Sequence, residues 1–304
     1  VITRRTFLRG IGAAVGTGIG LAGYAFGVEP RYRLSVTRYA LTPPAWPHGF
    51  KLKLALVSDV HACDPMMPVG RMEEIVAVTN GLGADAILLL GDYEASARPM
   101  FRPLMPDEWA PVLAQLYAPL GVHAILGNHD FWDDPETKWR RIKRPPRARV
   151  ALEKAGVPVY ENDVVRLDKG GQPFWLAGLA DQIAFITGVK KGRMTFEGLD
   201  DLPGTLAKVT DDAPVILLAH EPDIFPKVPG RVALTLSGHT HGGQVRLFGW
   251  SPIVPSEFGN RYAYGHVIEA GRHLIVSGGL GCSILPVRFG VPPEIVVVEL
   301  GADA

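Results

Sequence analysis

Short apolar runs that break off at a residue able to hold a cation or carry a proton recur along this chain, and the recurrence restricts its fold more than any other feature. "LALVSDVHAC" leads to Asp59 and His61, "AILLLGDYE" to Asp92, and "VHAILGNHDFW" to Asn128, His129 and Asp130. "VILLAHEPD" leads to His220, and "VALTLSGHTHGG" to His239 and His241. Runs of this length, separated by helical patterns and by Gly, Pro and Asp turns, are the signature of an α/β domain. In open α/β sheets the carboxyl ends of the strands line the ligand crevice, so the five clusters are expected to face one place. Gly91, Gly127, Gly238 and Gly242 let the backbone turn sharply there and leave room for ligands.

The pattern predicts strands over 52–58, 86–90, 122–126, 164–167, 174–179, 215–219, 233–237, 274–277 and 295–299. Helices are predicted over 69–81, 108–117 and 147–156, with Gly81 and Gly156 as stops. Residues 29–50 read as a connecting segment that adds an edge strand near 32–39, and residues 51–304 as one domain, because a single site must collect motifs from both halves.

Carboxylates, imidazoles and one carboxamide, without thiolates, suit borderline metals such as Mn, Fe or Zn. Asp59, His61, Asp92, Asn128, His220, His239 and His241 make seven candidate ligands, too many for one catalytic ion and the right number for two that share a carboxylate. Two cations ~3.5–4 Å apart would clamp a phosphate and acidify a water between them.

D-x-H at 59–61, G-D at 91–92, G-N-H-D at 127–130, the lone His220 and G-H-x-H at 238–241, in that order, resemble the calcineurin-like metallophosphoesterase superfamily. The resemblance implies a four-layer α-β-β-α sandwich of two mixed sheets. It implies one divalent metal on Asp59, His61, Asp92 and His241 and a second on Asp92, Asn128, His220 and His239. It also implies His129 as leaving-group acid or transition-state stabiliser, oriented by Asp130. The expected activity is hydrolysis of phosphodiester or pyrophosphate bonds by metal-activated hydroxide. A phosphomonoesterase, acting even on proteins, and a non-catalytic metal-containing envelope protein are the alternatives. Two departures stand out: Ala95 where the second motif often has Asp, with Glu94 beside it, and Cys63 where the first often has Gly.

The N-terminus adds a location. "TRRTFLRG" precedes a stretch from Ile11 to Val28 without a charged residue, and Arg4-Arg5 followed by Phe7 and Leu8 resembles a twin-arginine export signal. Residues 1–28 are therefore expected to be a signal, cut after Ala25, or a retained membrane anchor, with the enzyme in the periplasm or on the outer face of the inner membrane. The leader, "AHEPD", "GHTHGGQ" and the tail "VSGGLGCSILPVRFGVPPEI" resemble exported or membrane-associated bacterial phosphodiesterases, a branch that includes hydrolases of UDP-2,3-diacylglucosamine in lipid A synthesis. A phosphoester substrate, lipid-linked in that case, is the expected partner.

A formal charge of zero gives no overall field that favours nucleic acid. Cys63 and Cys282 are far apart in sequence and form no zinc spacing; they read as small packing residues, with a disulfide between them as the alternative. His48, His123, His266 and His273 read as packing or surface residues, and the basic run 138–149 as a solvated loop or a guide for an anionic headgroup. Arg261, Tyr264 and Arg288 are candidate phosphate contacts, because arginine offers a two-pronged donor.

Overall fold

The computed structural model describes residues 3–96, 101–137 and 145–301. Eleven strands make its two principal sheets: β1 (Ser35–Leu41), β2 (Leu52–Val57), β3 (Ala86–Leu89), β4 (Val122–Ala124), β5 (Asp163–Lys169), β6 (Gln172–Gly178), β7 (Val215–Leu218), β8 (Val232–Ser237), β9 (Gly265–Glu269), β10 (Arg272–Val276) and β11 (Glu294–Leu300). The helices are α1 (Arg4–Gly23), α2 (Val69–Gly81), α3 (Pro106–Leu113), α4 (Asn128–Trp132), α5 (Arg147–Lys154) and α6 (Leu202–Ala207), with a further helical turn over Glu29–Tyr32.

The first sheet runs β1-β11-β2-β3-β4 and the second β9-β10-β8-β7-β6-β5. Both are mixed. In the first, β11 is antiparallel to β2, whereas β1–β11, β2–β3 and β3–β4 are parallel. In the second, β10, β8, β7 and β6 form a parallel centre with the antiparallel strands β9 and β5 on its edges.

The twofold period of a strand explains the four layers. Leu52, Leu54 and Leu56 of β2 face Phe174, Leu176, Ile216, Leu218, Leu234 and Leu236 of the other sheet, forming a core between the two. Ala55 and Val57 point the other way, onto Met72, Ile75 and Val76 of α2 and Trp109, Val112 and Leu113 of α3. On the far side Val215, Leu217, Leu274 and Val276 bury against Leu202 of α6, Phe225 and Tyr262. Because both faces of the central strands are covered, those strands are continuous apolar runs. The fold is the metallophosphatase sandwich that the sequence implied, and β1 is the expected edge strand.

Three strand pairs lie outside the sequence expectation, the short antiparallel ladder of Cys63–Asp64 with Arg102–Pro103 being one. The hairpin Phe185–Lys190 with Arg193–Glu197 turns on Lys191 and Gly192, both at positive φ, and the edge strand β9 pairs with β10. Of the basic run, residues 138–144 lie outside the described residues; Arg147 and Arg149 open α5, where they pair with Glu94 and Glu153.

His123 sits in β4 as a neutral, satisfied ring, with Nε2 facing the Leu120 carbonyl at 2.8 Å and Nδ1 facing the Tyr160 hydroxyl at 3.0 Å. Burial lowers its pKa from the ordinary 6.5. The unfolded chain thus takes up a proton at higher pH than the folded one, so this residue costs stability as pH falls below 6.5, until the folded ring also protonates. In His123→Gln the urea midpoint, measured from pH 7 down to pH 5, should fall less steeply than in the parent; equal slopes would show that the ring does not titrate with unfolding.

Candidate metal centre

Every predicted ligand stands just past the carboxyl end of a parallel strand: Asp59 and His61 after β2, Asp92 after β3, Asn128 after β4, His220 after β7, His239 and His241 after β8. The turns that carry them are strained. Among the described residues ten non-glycine positions have positive φ, and five of them are Asp59, His61, Asp92, His239 and His241. Such conformations cost roughly 1–3 kcal/mol each and persist only where the surroundings dictate them. Here the surroundings are main-chain bonds between neighbouring turns: Asp59 N–H to Gly91 O, His61 N–H to Asp92 O, Gly281 N–H to Asp59 O and Gly238 N–H to His220 O, all 2.7–3.0 Å. Gly127 has to be glycine, because a Cβ there would lie 2.5 Å from Asp92 Oδ1 and 2.6 Å from the His220 ring.

Two buried groups result. Ligand atoms of Asp59, His61, Asp92 and His241 lie within 4.8 Å of one another, as do those of Asp92, His220 and His239, so Asp92 belongs to both. Its Oδ1 accepts the His129 N–H at 2.8 Å, which leaves Oδ2 3.5 Å from His61 Nε2 and 3.2 Å from His220 Nε2. Asn128 Oδ1 lies 2.9 Å from His239 Nδ1, placing the carboxamide beside the second group.

The protonation pattern suits cations. His61 and His220 each face a main-chain carbonyl with Nδ1, those of Glu94 at 2.9 Å and Leu90 at 2.7 Å, so Nε2 of both points at Asp92. Burial pushes His61 down to about 4 and also lowers His239 and His241, which keeps these rings neutral, as ligands must be. Burial works against a charge on His220 too, but Asp92 outweighs it and raises the ring well above its ordinary range. Its Nε2 makes no aligned hydrogen bond, so the attraction to Asp92 is one of charge. The Asp92 charge at this junction therefore favours a positive partner. Buried imidazole and carboxylate donors converging on one shared oxygen fit two divalent ions of the borderline class.

The structure corrects the partner expected for His129. Asp130 does not orient that ring: its carboxylate accepts the main-chain N–H groups of Asp92, Tyr93, Glu94 and Gly127 at 2.9–3.2 Å. The reason is helical geometry. Asp130 is the third residue of α4 and reaches back to its N-cap, Gly127. Asp133, four residues on from His129 and so on the same face, takes its Nδ1 at 2.6 Å. Nε2 then faces the rim, 3.2 Å from Ser283 Oγ.

None of the three speculative phosphate contacts is free for that task. Arg288 is fully buried, bonded to the carbonyls of Gly281 and Val291 with its guanidinium 3.2 Å from His241 Nδ1, so it is committed to the wall of the site. Arg261 forks onto Glu269, and the Tyr264 hydroxyl donates to Glu294. Both cysteines are free and buried. Cys63 packs with Ala95 and Met66, so the two departures from the motif pattern meet in one small apolar cluster. Burial pushes the Cys63 thiol up to about 11, far from a ligand thiolate. Glu94, beside Ala95, is tied to the Arg147 guanidinium by both oxygens. The rim segment 278–283 closes on Asp59 and His129, and its glycine-rich sequence carries no periodic signal by which it could have been found.

Residues 52–243 match the profile of the calcineurin-like phosphoesterase family. The chain is 31% identical to the metallophosphoesterase YkuE of Bacillus subtilis over 98% of both chains. It is 28% identical to the phosphodiesterase YaeI of Escherichia coli over 99% of this chain and 100% of that one. A transmembrane protein with metallophosphoesterase domain from Bos taurus is 29% identical over 83% of this chain and 53% of its own.

Proposed function

The chain belongs to the calcineurin-like phosphoesterase family and is a metal-dependent phosphoester hydrolase; from that premise we propose a two-cation phosphodiesterase or pyrophosphatase held at the cell envelope by α1. The observation that carries the two-cation part is Asp92 Oδ2, flanked by His61 Nε2 and His220 Nε2 at the junction of the two groups. Asp59, His61, Asp92 and His241 would hold one ion, and Asp92, Asn128, His220 and His239 the other. When bound, the pair acidifies a water and draws charge from the phosphoryl oxygens.

The chain's own residues do the rest. His129 N–H fixes one Asp92 oxygen so that the other is aimed between the groups, and the Asp130 carboxylate holds the turns after β3 and β4 together. Asp133 accepts the His129 Nδ1–H. Burial works against a charge on the ring, but Asp92 and Asp133 together outweigh it and raise its pKa from the ordinary 6.5, so the ring can carry a proton on Nε2 as well, turned to the rim. As the oxygen of a water that has released a proton to solvent bonds to phosphorus and the bond to the leaving oxygen breaks, the His129 imidazolium can deliver its Nε2 proton to that oxygen and be left neutral. Diester preference is supported by the activity named for the Escherichia coli relative.

The envelope location rests on the stretch Arg4–Tyr32, apolar and long enough to cross a bilayer and almost wholly exposed. At its C-terminal end Ala25 and Glu29 are buried against the domain: the Ala25 carbonyl accepts the Arg288 N–H and the Glu29 carboxylate the Val291 N–H. This favours a retained anchor over a leader cut at Ala25, with 29–50 as the connection and 51–304 as the body of the catalytic domain. A lipid-linked pyrophosphate such as UDP-2,3-diacylglucosamine is then the substrate class.

The test is turnover of the full chain, loaded with Mn, Fe or Zn, on bis-p-nitrophenyl phosphate, p-nitrophenyl phosphate and UDP-2,3-diacylglucosamine. The diester and the pyrophosphate should exceed the monoester in kcat/KM by at least ~10-fold. Preference for the monoester would make the enzyme a phosphomonoesterase, and metal binding without any turnover would make it a binding protein.

A further inference from the structure

We propose that the rim of the metal centre is itself a membrane-docking surface: the turn at 247–250, with Ile253 and the loop at Ile284 and Leu285, inserts among lipids beside the root of α1, so that substrate enters from the bilayer surface. The proposal rests on the reading of α1 as a retained anchor and adds the second point of contact.

The turn at Leu247–Trp250 is the first observation. Leu247 and Trp250 exchange main-chain bonds at 2.8 and 3.0 Å, closing a two-residue loop whose tip residues, Phe248 and Gly249, both have positive φ. That turn favours Asn-Gly, and a bulky side chain at its first position is strained. Phe248 stands there with its ring entirely exposed, at 108% relative accessibility. Among the described residues nothing covers that ring. Trp250, Ile253, Ile284 and Leu285 are also more than half exposed. Several large apolar side chains kept in water on neighbouring loops mark a contact surface.

Continuity with α1 identifies the occupant. Arg246 N–H bonds to Phe289 O at 2.8 Å, Phe289 N–H bonds to Gln244 O at 2.9 Å, and the Gln244 side chain holds Leu285 O and Ser283 N–H. The two loops are thus laced into one lip. The same lip holds the helix root, through Arg288 N–H to Ala25 O and an edge-on contact of the Phe289 and Tyr24 rings. From that root rise the 20 residues of α1, a length of ~30 Å, the thickness of a hydrocarbon core. Whatever solvates α1 begins at this lip. Exposed Phe and Trp beside Leu and Ile are the composition of an interfacial insertion. The lip is also the doorway of the site, since Gln244 lies three residues past His241 and Ser283 touches His129.

The experiment places a nitroxide on the full chain reconstituted in vesicles of phosphatidylethanolamine and phosphatidylglycerol. Four single variants are compared: Phe248→Cys, Ile284→Cys, Val15→Cys in α1, and Asp212→Cys, which precedes β7 at the end of the sandwich remote from the metal centre. The two native thiols are buried and stay unlabelled. Each variant is checked for unaltered hydrolysis of bis-p-nitrophenyl phosphate. Collisional depth measurement should put the labels at 248 and 284 ~5–10 Å below the headgroups, the label at 15 deeper, and the label at 212 in water. Labels at 248 and 284 in water, with 15 in the bilayer, would overturn the docking surface and leave the anchor standing. A label at 15 in water would overturn both. Dipolar broadening between copies at 248 or 284 would show that a second copy of the chain covers the lip, and would also overturn the proposal.

Discussion

Asp92→Asn should hydrolyse bis-p-nitrophenyl phosphate at least ~10³-fold more slowly than the parent, a loss matching the several kcal/mol that cation charge contributes to phosphoryl transfer. Asparagine keeps the shape and keeps Oδ1 for the His129 N–H, the contact that a shorter residue would leave unfilled. What changes is Oδ2, replaced by an amide that donates toward the Nε2 atoms of His61 and His220 instead of sharing a cation with them. With metal, elemental analysis should find fewer than two ions per chain, and the rise in melting temperature expected of the loaded parent should be lost. Full turnover with two ions retained would show that the shared carboxylate is not at the centre of the chemistry.

His129→Gln should lower kcat by ~10²–10⁴-fold on a diester with an alkoxide leaving group and much less on one that expels p-nitrophenolate, since a weakly basic leaving group has little need of a proton. Both ions should stay bound, because the His129 side chain lies in neither ligand group. Asp133→Asn leaves the imidazole in place and removes the carboxylate that fixes its proton on Nδ1. Its defect should follow the same leaving-group trend at smaller amplitude, whereas Asp130→Asn, which disturbs the turns after β3 and β4, should weaken metal binding for every substrate alike. A uniform loss across leaving groups in His129→Gln would assign the ring to positioning rather than proton delivery.

What the residues revealed, and what they hid, follows from which forces act locally. Strands such as β2, β3 and β7 are covered on both faces, so their sequences are unbroken apolar runs with sharp ends and were placed to within a residue or two. The hairpin over Phe185–Glu197 is mostly half-buried or exposed, mixes Lys and Thr with its apolar residues, and gives no such run. The meeting of the Asp and His side chains at the candidate centre was legible because each stands next to glycine or at the end of an apolar run. The partner of His129 was misread because adjacency in "GNHD" suggested Asp130, whereas the turn is helical from Asn128 and brings Asp133 to the ring. That i, i+4 relation was available in the sequence. The meeting of Cys63 with Ala95 was not, since residues far apart in the chain come together there only through the sheet.

The reach of Asp130 across two turns has a further consequence. One side chain gathers the amides after β3 and after β4, and so sets how far the shared aspartate stands from the asparagine beside it. It works as a spacer whose length is a single methylene. A glutamate at that place would push the two turns apart with every donor atom unchanged, so the preference among ions of different radius can be retuned from a position that touches none of them.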